Sequence, residues 1–155
     1  MRVDEIMSVP AYTCHANESL MQAAKLMWDH DCGAIPVVND KGKLVGMVTD
    51  RDISMAAYTQ AKSLDEIQVH VAMSKAVVTA RPDDAVTELE DLMAIHQIRR
   101  VPIIDPAGKP IGIVSLNDLA RSSVRTPAKL RVGIAKVIQT LAAICQPRSE
   151  PRAAA

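Results

Sequence analysis

An α/β fold, one β-α-β-β-α unit used twice, follows from three observations on this 155-residue chain. Shifted so that Met7 falls on Met73, a step of 66 residues, the sequence aligns on itself without a gap from Met7–Ile53 onto Met73–Leu119. Met7-Ser8 meets Met73-Ser74, Thr13 meets Thr79, His30 meets His96, Pro36 meets Pro102, Gly46 meets Gly112 and Asp52 meets Asp118. A register kept this long means two copies of one structural unit. In each copy an apolar stripe at helical spacing is followed by two short apolar runs separated by turn residues, which reads as a helix and then a hairpin. Finally, a copy of about 60 residues buries too little surface to be comfortable alone, so the two are expected to form one module with a shared core.

The elements follow in order. Residues 1–8 read as a short helix or an extended lead-in, and Ala11–Cys14 as a short strand. Asn17 or Ser19 caps a helix to about His30, with Leu20, Ala23, Ala24 and Met27 on its apolar face. Ala34–Val38 is a strand, Asn39–Gly42 a turn and Lys43–Val48 the second strand of the hairpin. Thr49 or Asp50 opens a helix to about Ala61. After a linker over 62–72, with a helical turn near Leu64–Ile67, the order repeats. Val77–Ala80 is a strand; Asp83 or Asp84 caps a helix to about Gln97 with Val86, Leu89, Leu92 and Met93 inward. Arg100–Ile104, a turn over Asp105–Gly108, and Pro110–Ser115 form the second hairpin, and a helix runs from Leu116 to about Ser122. Outside the repeat, residues 127–146 read as an amphipathic helix with Pro127 in its first turn and Leu130, Ile134, Val137, Ile138, Leu141 and Ile144 at helical spacing. The organisation is therefore repeat 1 over 1–61, linker over 62–72, repeat 2 over 73–123, the C-terminal helix, and a tail over 147–155 expected to be disordered.

Composition narrows the function. With no Phe, one Trp and two Tyr, the core must be aliphatic, with the eight Met as fillers. The formal net charge of zero argues against nucleic acid, whose binding needs a basic surplus. Charge is uneven, since residues 125–155 hold six basic side chains and one acid, Glu150. That helix either packs on the module or completes a dimer interface, or else it docks on an acidic partner or a membrane surface; it lacks aromatic anchors for the last. Cys14, Cys32 and Cys145 make no disulfide framework, which fits a reducing cytoplasm, and no run is long enough to span a membrane.

The chemistry-bearing motif is a strand that ends in a hydroxyl residue and a helix that carries an Asp one turn in: Gly46-Met47-Val48-Thr49-Asp50-Arg51-Asp52, and Gly112-Ile113-Val114-Ser115-Leu116-Asn117-Asp118. Such a carboxylate can accept from two vicinal ribose hydroxyls. The hydroxyl sits where free helix N–H groups favour a phosphate. The alternative is purely local: Thr49 or Asp50 caps the helix, and Asp52 and Asp118 complement its dipole. His30-Asp31-Cys32 matches no standard zinc spacing, so no metal site is expected. His30 and His96 fall at helix ends, where they suit capping. No nucleophile, base and orienter occur together, so no catalytic residue is assigned.

Two such motifs at one offset, each behind an h-P-h-h strand (Ile35-Pro36-Val37-Val38; Val101-Pro102-Ile103-Ile104) and a Gly turn, resemble the CBS domain, named for cystathionine β-synthase, and specifically its tandem pair, over about residues 3–123. The resemblance implies a pseudo-symmetric module with two clefts between the repeats. It implies an adenosine-containing ligand (AMP, ADP or ATP, with S-adenosylmethionine or NAD as further members of the class), dimerisation of the chain with itself, and regulation without catalysis. On that basis the candidate ligand residues are Thr13, Ile35, Thr49, Arg51, Asp52, Thr79, Arg100, Val101, Ser115 and Asp118. Adenine would lie in apolar slots, read by backbone groups near Thr13–Cys14 and Val78–Thr79. Before the h-P strand, repeat 2 has Arg99-Arg100 where repeat 1 has Gly33-Ala34. By analogy with related pairs, Arg100 would serve the phosphate of the ligand held by Asp52, while Ala34 offers no charge to the Asp118 site. The expected function is a cytoplasmic sensor acting on an effector protein in trans; the alternative is a ligand-free oligomerisation or scaffold module.

Overall fold

The computed structural model describes residues 1–125 and 133–147; the start of the expected C-terminal helix and its tail from Arg148 lie outside the described residues. The chain forms two compact units, and neither coincides with a sequence repeat. The first gathers Ala11–Val77 with Pro106–Pro110, and the second gathers Met1–Pro10, Val78–Asp105 and the described residues from Ile111 onward.

The first unit contains β1 (Cys14–His15), α1 (Leu20–Asp29), β2 (Ala34–Val38), β3 (Leu44–Thr49), α2 (Asp50–Gln60) and α3 (Val69–Ala72). β2 is the middle strand, parallel to β1 and antiparallel to β3. It is buried along its whole length, which explains an unbroken apolar run where a one-sided strand would alternate. Ser19 accepts from the Gln22 N–H while the Gln22 side chain accepts from the Ser19 N–H, a capping box that starts α1 where expected. Leu20, Ala23 and Met27 then face Ile35, Val37, Val48, Ile53 and Ala56 in an aliphatic core.

The Met73-Ser74 lead-in of repeat 2 closes this unit. Ser74 and Met47 exchange two backbone hydrogen bonds, each 2.9 Å. A Cβ on Gly46 would stand 2.5 Å from Met73 Sδ and 3.0 Å from the Ser74 carbonyl oxygen, so glycine is what lets the two backbones approach.

The second unit contains a 3-10 turn (Val3–Glu5), α4 (Val86–His96), β4 (Arg100–Ile104), β5 (Pro110–Ser115), α5 (Leu116–Arg125) and α6 (Ile134–Ile144). The same closure recurs with the lead-in of repeat 1: Ser8 and Ile113 exchange hydrogen bonds of 2.9 and 3.0 Å. The Met-Ser pairs of the repeat are thus clasps, each lying on the G-h strand of the other copy.

Three expectations are corrected. Val77–Ala80 is not a strand; only Ala80 bridges, to Ile103. Neither Asp83 nor Asp84 caps α4, because the Asp84 carboxylate accepts from the Arg81 N–H (2.7 Å) and tightens the preceding turn. The cap position is Ala85, where repeat 1 has Ser19, and the Met1 carbonyl accepts from the Val86 N–H instead (3.1 Å). Third, the first strand is Cys14–His15, not Ala11–Cys14. α6 packs on α4 and α5, with Val137 and Ile144 in the core beside Val86, Leu89 and Met93. Glu90 of α4 is fully buried there, and neither carboxylate oxygen has a partner among the described residues.

Candidate functional site

β3 delivers Thr49 to the mouth of α2. Thr49 is the N-cap: its Oγ1 accepts from the Asp52 N–H (3.2 Å), and Asp52 Oδ2 accepts from both the Thr49 N–H (2.9 Å) and the Thr49 hydroxyl (2.7 Å). This is a capping box with Asp in the returning position. One oxygen of Asp52 is spent on it; Oδ1 has no hydrogen bond among the described residues, and the side chain is half-buried. Arg51 is exposed on the same turn, and its N–H donates to Asp50 Oδ1 (2.8 Å).

The equivalent junction in the second unit starts alike. Asp118 Oδ2 accepts from the Ser115 N–H (2.7 Å) and from the Ser115 hydroxyl, and Ser115 Oγ accepts from the Asp118 N–H (3.3 Å). Here, however, Oδ1 is taken as well. It accepts from the Ser8 hydroxyl (3.1 Å) and pairs with the Arg121 guanidinium one turn along α5. Asp118 is 5% exposed. Local capping thus accounts for both motifs, and among the described residues a motif carboxylate oxygen stays free at Asp52 and not at Asp118.

The remaining candidates fall as follows. Ile35 and Val101 are fully buried in the two cores, so their side chains face neighbours and only their backbone remains to read a ligand. Thr13 and Thr79 are half-buried, next to β1 and to the Ala80 bridge. Arg100 opens β4 and is half-buried; the carbonyl of its neighbour Arg99 accepts from the Leu116 N–H (2.9 Å), which ties the strand to the start of α5. Within the first unit the fold joins Thr49 and Asp52, and within the second Ser115 and Asp118. Ser8 and Arg121 were not singled out from the sequence. The available signals were the repeated Met-Ser and an Arg three residues after Asp118, where repeat 1 has Met55.

Other tempting groups have ordinary surroundings. The His30 ring stacks on Tyr12, with centroids 3.4 Å apart. Burial, with Glu18 adding to it, pushes the Cys14 thiol up to about 12, the opposite of a reactive thiolate. Among the described residues no three His, Cys, Asp or Glu are placed to hold a metal, and no helix is long and apolar enough to cross a membrane.

Comparison with known proteins matches these observations. The CBS domain family model fits twice, over residues 3–58 and 65–125. The CBS domain-containing protein YhcV of Bacillus subtilis is 41% identical over 118 residues, covering 76% of this chain and 82% of that protein. L-aspartate semialdehyde sulfurtransferase of Methanocaldococcus jannaschii is 36% identical over 77% of this chain, and the match spans only 22% of that larger protein. Among solved structures, the CBS domain pair of protein MJ0100, in complex with 5'-methylthioadenosine and S-adenosyl-L-methionine, superposes with a TM-score of 0.72 at 34% identity, covering 78% of this chain and 94% of that one. Two family matches in one chain, each ending in a capped strand-to-helix junction with a motif Asp, make this protein a member of the CBS domain family, built as a tandem pair.

Proposed function

We propose that this chain is a non-catalytic regulatory module that binds an adenosine-containing ligand at Asp52 and signals to an effector protein in trans. The observation that carries the reading is the free Oδ1 of Asp52, an acceptor at a helix mouth with a hydroxyl neighbour, suited to ribose hydroxyls. A similar pair holding 5'-methylthioadenosine and S-adenosylmethionine supports the ligand class. Arg100 is our candidate partner for a phosphate, which would favour AMP, ADP or ATP over an uncharged adenosyl group. Thermal unfolding against AMP, ADP, ATP, S-adenosylmethionine, 5'-methylthioadenosine and NADH tests this. A ligand at about 100 times its Kd should add roughly 2.7 kcal/mol of stability. Arg100→Ala is expected to weaken AMP and leave 5'-methylthioadenosine unchanged; equal effects on both would remove Arg100 from the site.

A second reading, a ligand-free scaffold, draws on the capping itself, since Thr49, Asp52, Ser115 and Asp118 all have structural work. No stabilisation by any of the six compounds would select it. Under either reading we expect a cytoplasmic homodimer. Trp28 and Tyr58, 88% and 81% exposed on α1 and α2, are large apolar surfaces of the kind that a second copy covers. Sedimentation equilibrium giving a monomer at micromolar concentration would dismiss that dimer.

A further inference from the structure

We infer that Arg121 acts as a built-in occupant of the second junction, so that each chain offers one nucleoside site, at Asp52, and holds the Asp118 site closed. The inference rests on the ligand reading above and adds which copy of the motif is used and which residue decides it.

The two junctions are an internal comparison, alike in backbone and in capping. Asp52 and Asp118 each give Oδ2 to the hydroxyl residue that ends the strand. They differ at the other oxygen. Asp118 Oδ1 accepts from the Ser8 hydroxyl and from the Arg121 guanidinium, which fills its acceptor capacity in a place that is 95% shielded from water. A ribose would have to displace a charge-assisted bond to gain two neutral ones, and charge-assisted bonds are the stronger kind. Repeat 1 has no such occupant. Its residue at the Arg121 position is Met55, whose chemistry offers no donor, and Ser74, which matches Ser8, makes no hydrogen bond to Asp52 among the described residues. The difference therefore reduces to one side chain, three residues after the motif Asp, supported by one clasp hydroxyl.

Exchanging the two residues tests this, with 5'-methylthioadenosine as the probe in titration calorimetry of the full chain. Wild type is expected to bind one equivalent per chain. Arg121→Met, which installs the repeat 1 residue, is expected to bind two. Should Arg121→Met fold poorly, Met55→Arg serves alone: it sits on an exposed face of α2 and should weaken the wild-type site at least tenfold by pairing with Asp52. Two equivalents in wild type, one in a folded Arg121→Met, or unchanged affinity in Met55→Arg would each overturn the inference while leaving the ligand reading in place. No binding by wild type, Arg121→Met and Met55→Arg alike would overturn both.

Discussion

Asp52→Ala will keep the fold and lose the ligand-induced rise in Tm; Asp118→Ala will lose stability without any ligand. The two carboxylates occupy the same position of the repeat and differ in what they hold. Removing Asp52 costs the Thr49 N–H its acceptor at a half-exposed helix start, while Thr49 Oγ1 still accepts from the backbone N–H of residue 52. Losses of that kind are about 0.5–1 kcal/mol. Removing Asp118 takes the acceptor from the Ser115 N–H, the Ser115 hydroxyl, the Ser8 hydroxyl and Arg121 together, in a buried place. Arg121 is half-exposed and regains water, so its share is discounted. The stranded N–H and hydroxyls set the cost at about 2 kcal/mol. Because Ser8 belongs to the N-terminal clasp, protection of the Ile113 and Ser8 amides from hydrogen exchange should fall in the same variant. Urea midpoints for the two variants, with and without the stabilising ligand, check both halves. Equal destabilisation by the two substitutions would mean that both aspartates are structural, and the ligand reading would lose its acceptor.

Stability will fall as pH rises from about 4.5 to about 7, and Glu90→Gln will abolish most of that slope. Burial raises the Glu90 carboxyl from 4.5 to about 7; Lys136 of α6 opposes the rise and Asp91 of α4 adds to it. In that window the folded protein holds a proton that the unfolded chain has already released. Folding therefore takes up a proton, and each rise in pH works against it. The slope ends near pH 7, where the folded state also releases the proton. A shift of this size corresponds to about 3 kcal/mol across the window. Glu90→Gln keeps the shape without an ionisable group, so it should match wild type at pH 4.5 and exceed it at pH 8. Urea unfolding at pH 4.5, 6, 7 and 8 reads the slope directly; parallel profiles for wild type and Glu90→Gln would mean that Glu90 is hydrated in solution. Lys136, paired with Asp91 at the surface, places α6 over this group, so truncation of α6 should flatten the profile as well.

Glu90 also shows where sequence reading stops. The helical spacing of α4 marks Val86, Leu89 and Met93 as inward, and they are; Leu92 is half-buried, and Glu90 lies on the flank. Its burial depends on a helix that arrives from outside the repeat, and no local pattern announces that. The α4 cap fails for the same reason. Asp83-Asp84 has capping chemistry, but the first N–H of the helix is served by the Met1 carbonyl, a partner more than 80 residues away in sequence.

What the sequence determined by itself is what depends on neighbours a few residues apart. The β2–β3 hairpin, the Ser19 and Thr49 caps and the equivalence of the two copies are of this kind, since turn residues, capping boxes and apolar periodicity act within one or two turns of chain. The tertiary structure alone decided what each copy closes on, and it completed what a local neighbour began in setting how each motif Asp is used. Met7-Ser8 and Met73-Ser74 are identical dipeptides, yet each lies on the other copy's strand, because the short strand behind each motif glycine leaves one edge of backbone N–H and C=O groups to be satisfied. Asp52 and Asp118 are likewise identical residues at matched positions. Among the described residues one keeps a free oxygen and the other has none: Arg121 is a local neighbour of Asp118, one turn along α5, but Ser8 reaches it only after the chain has folded back on itself.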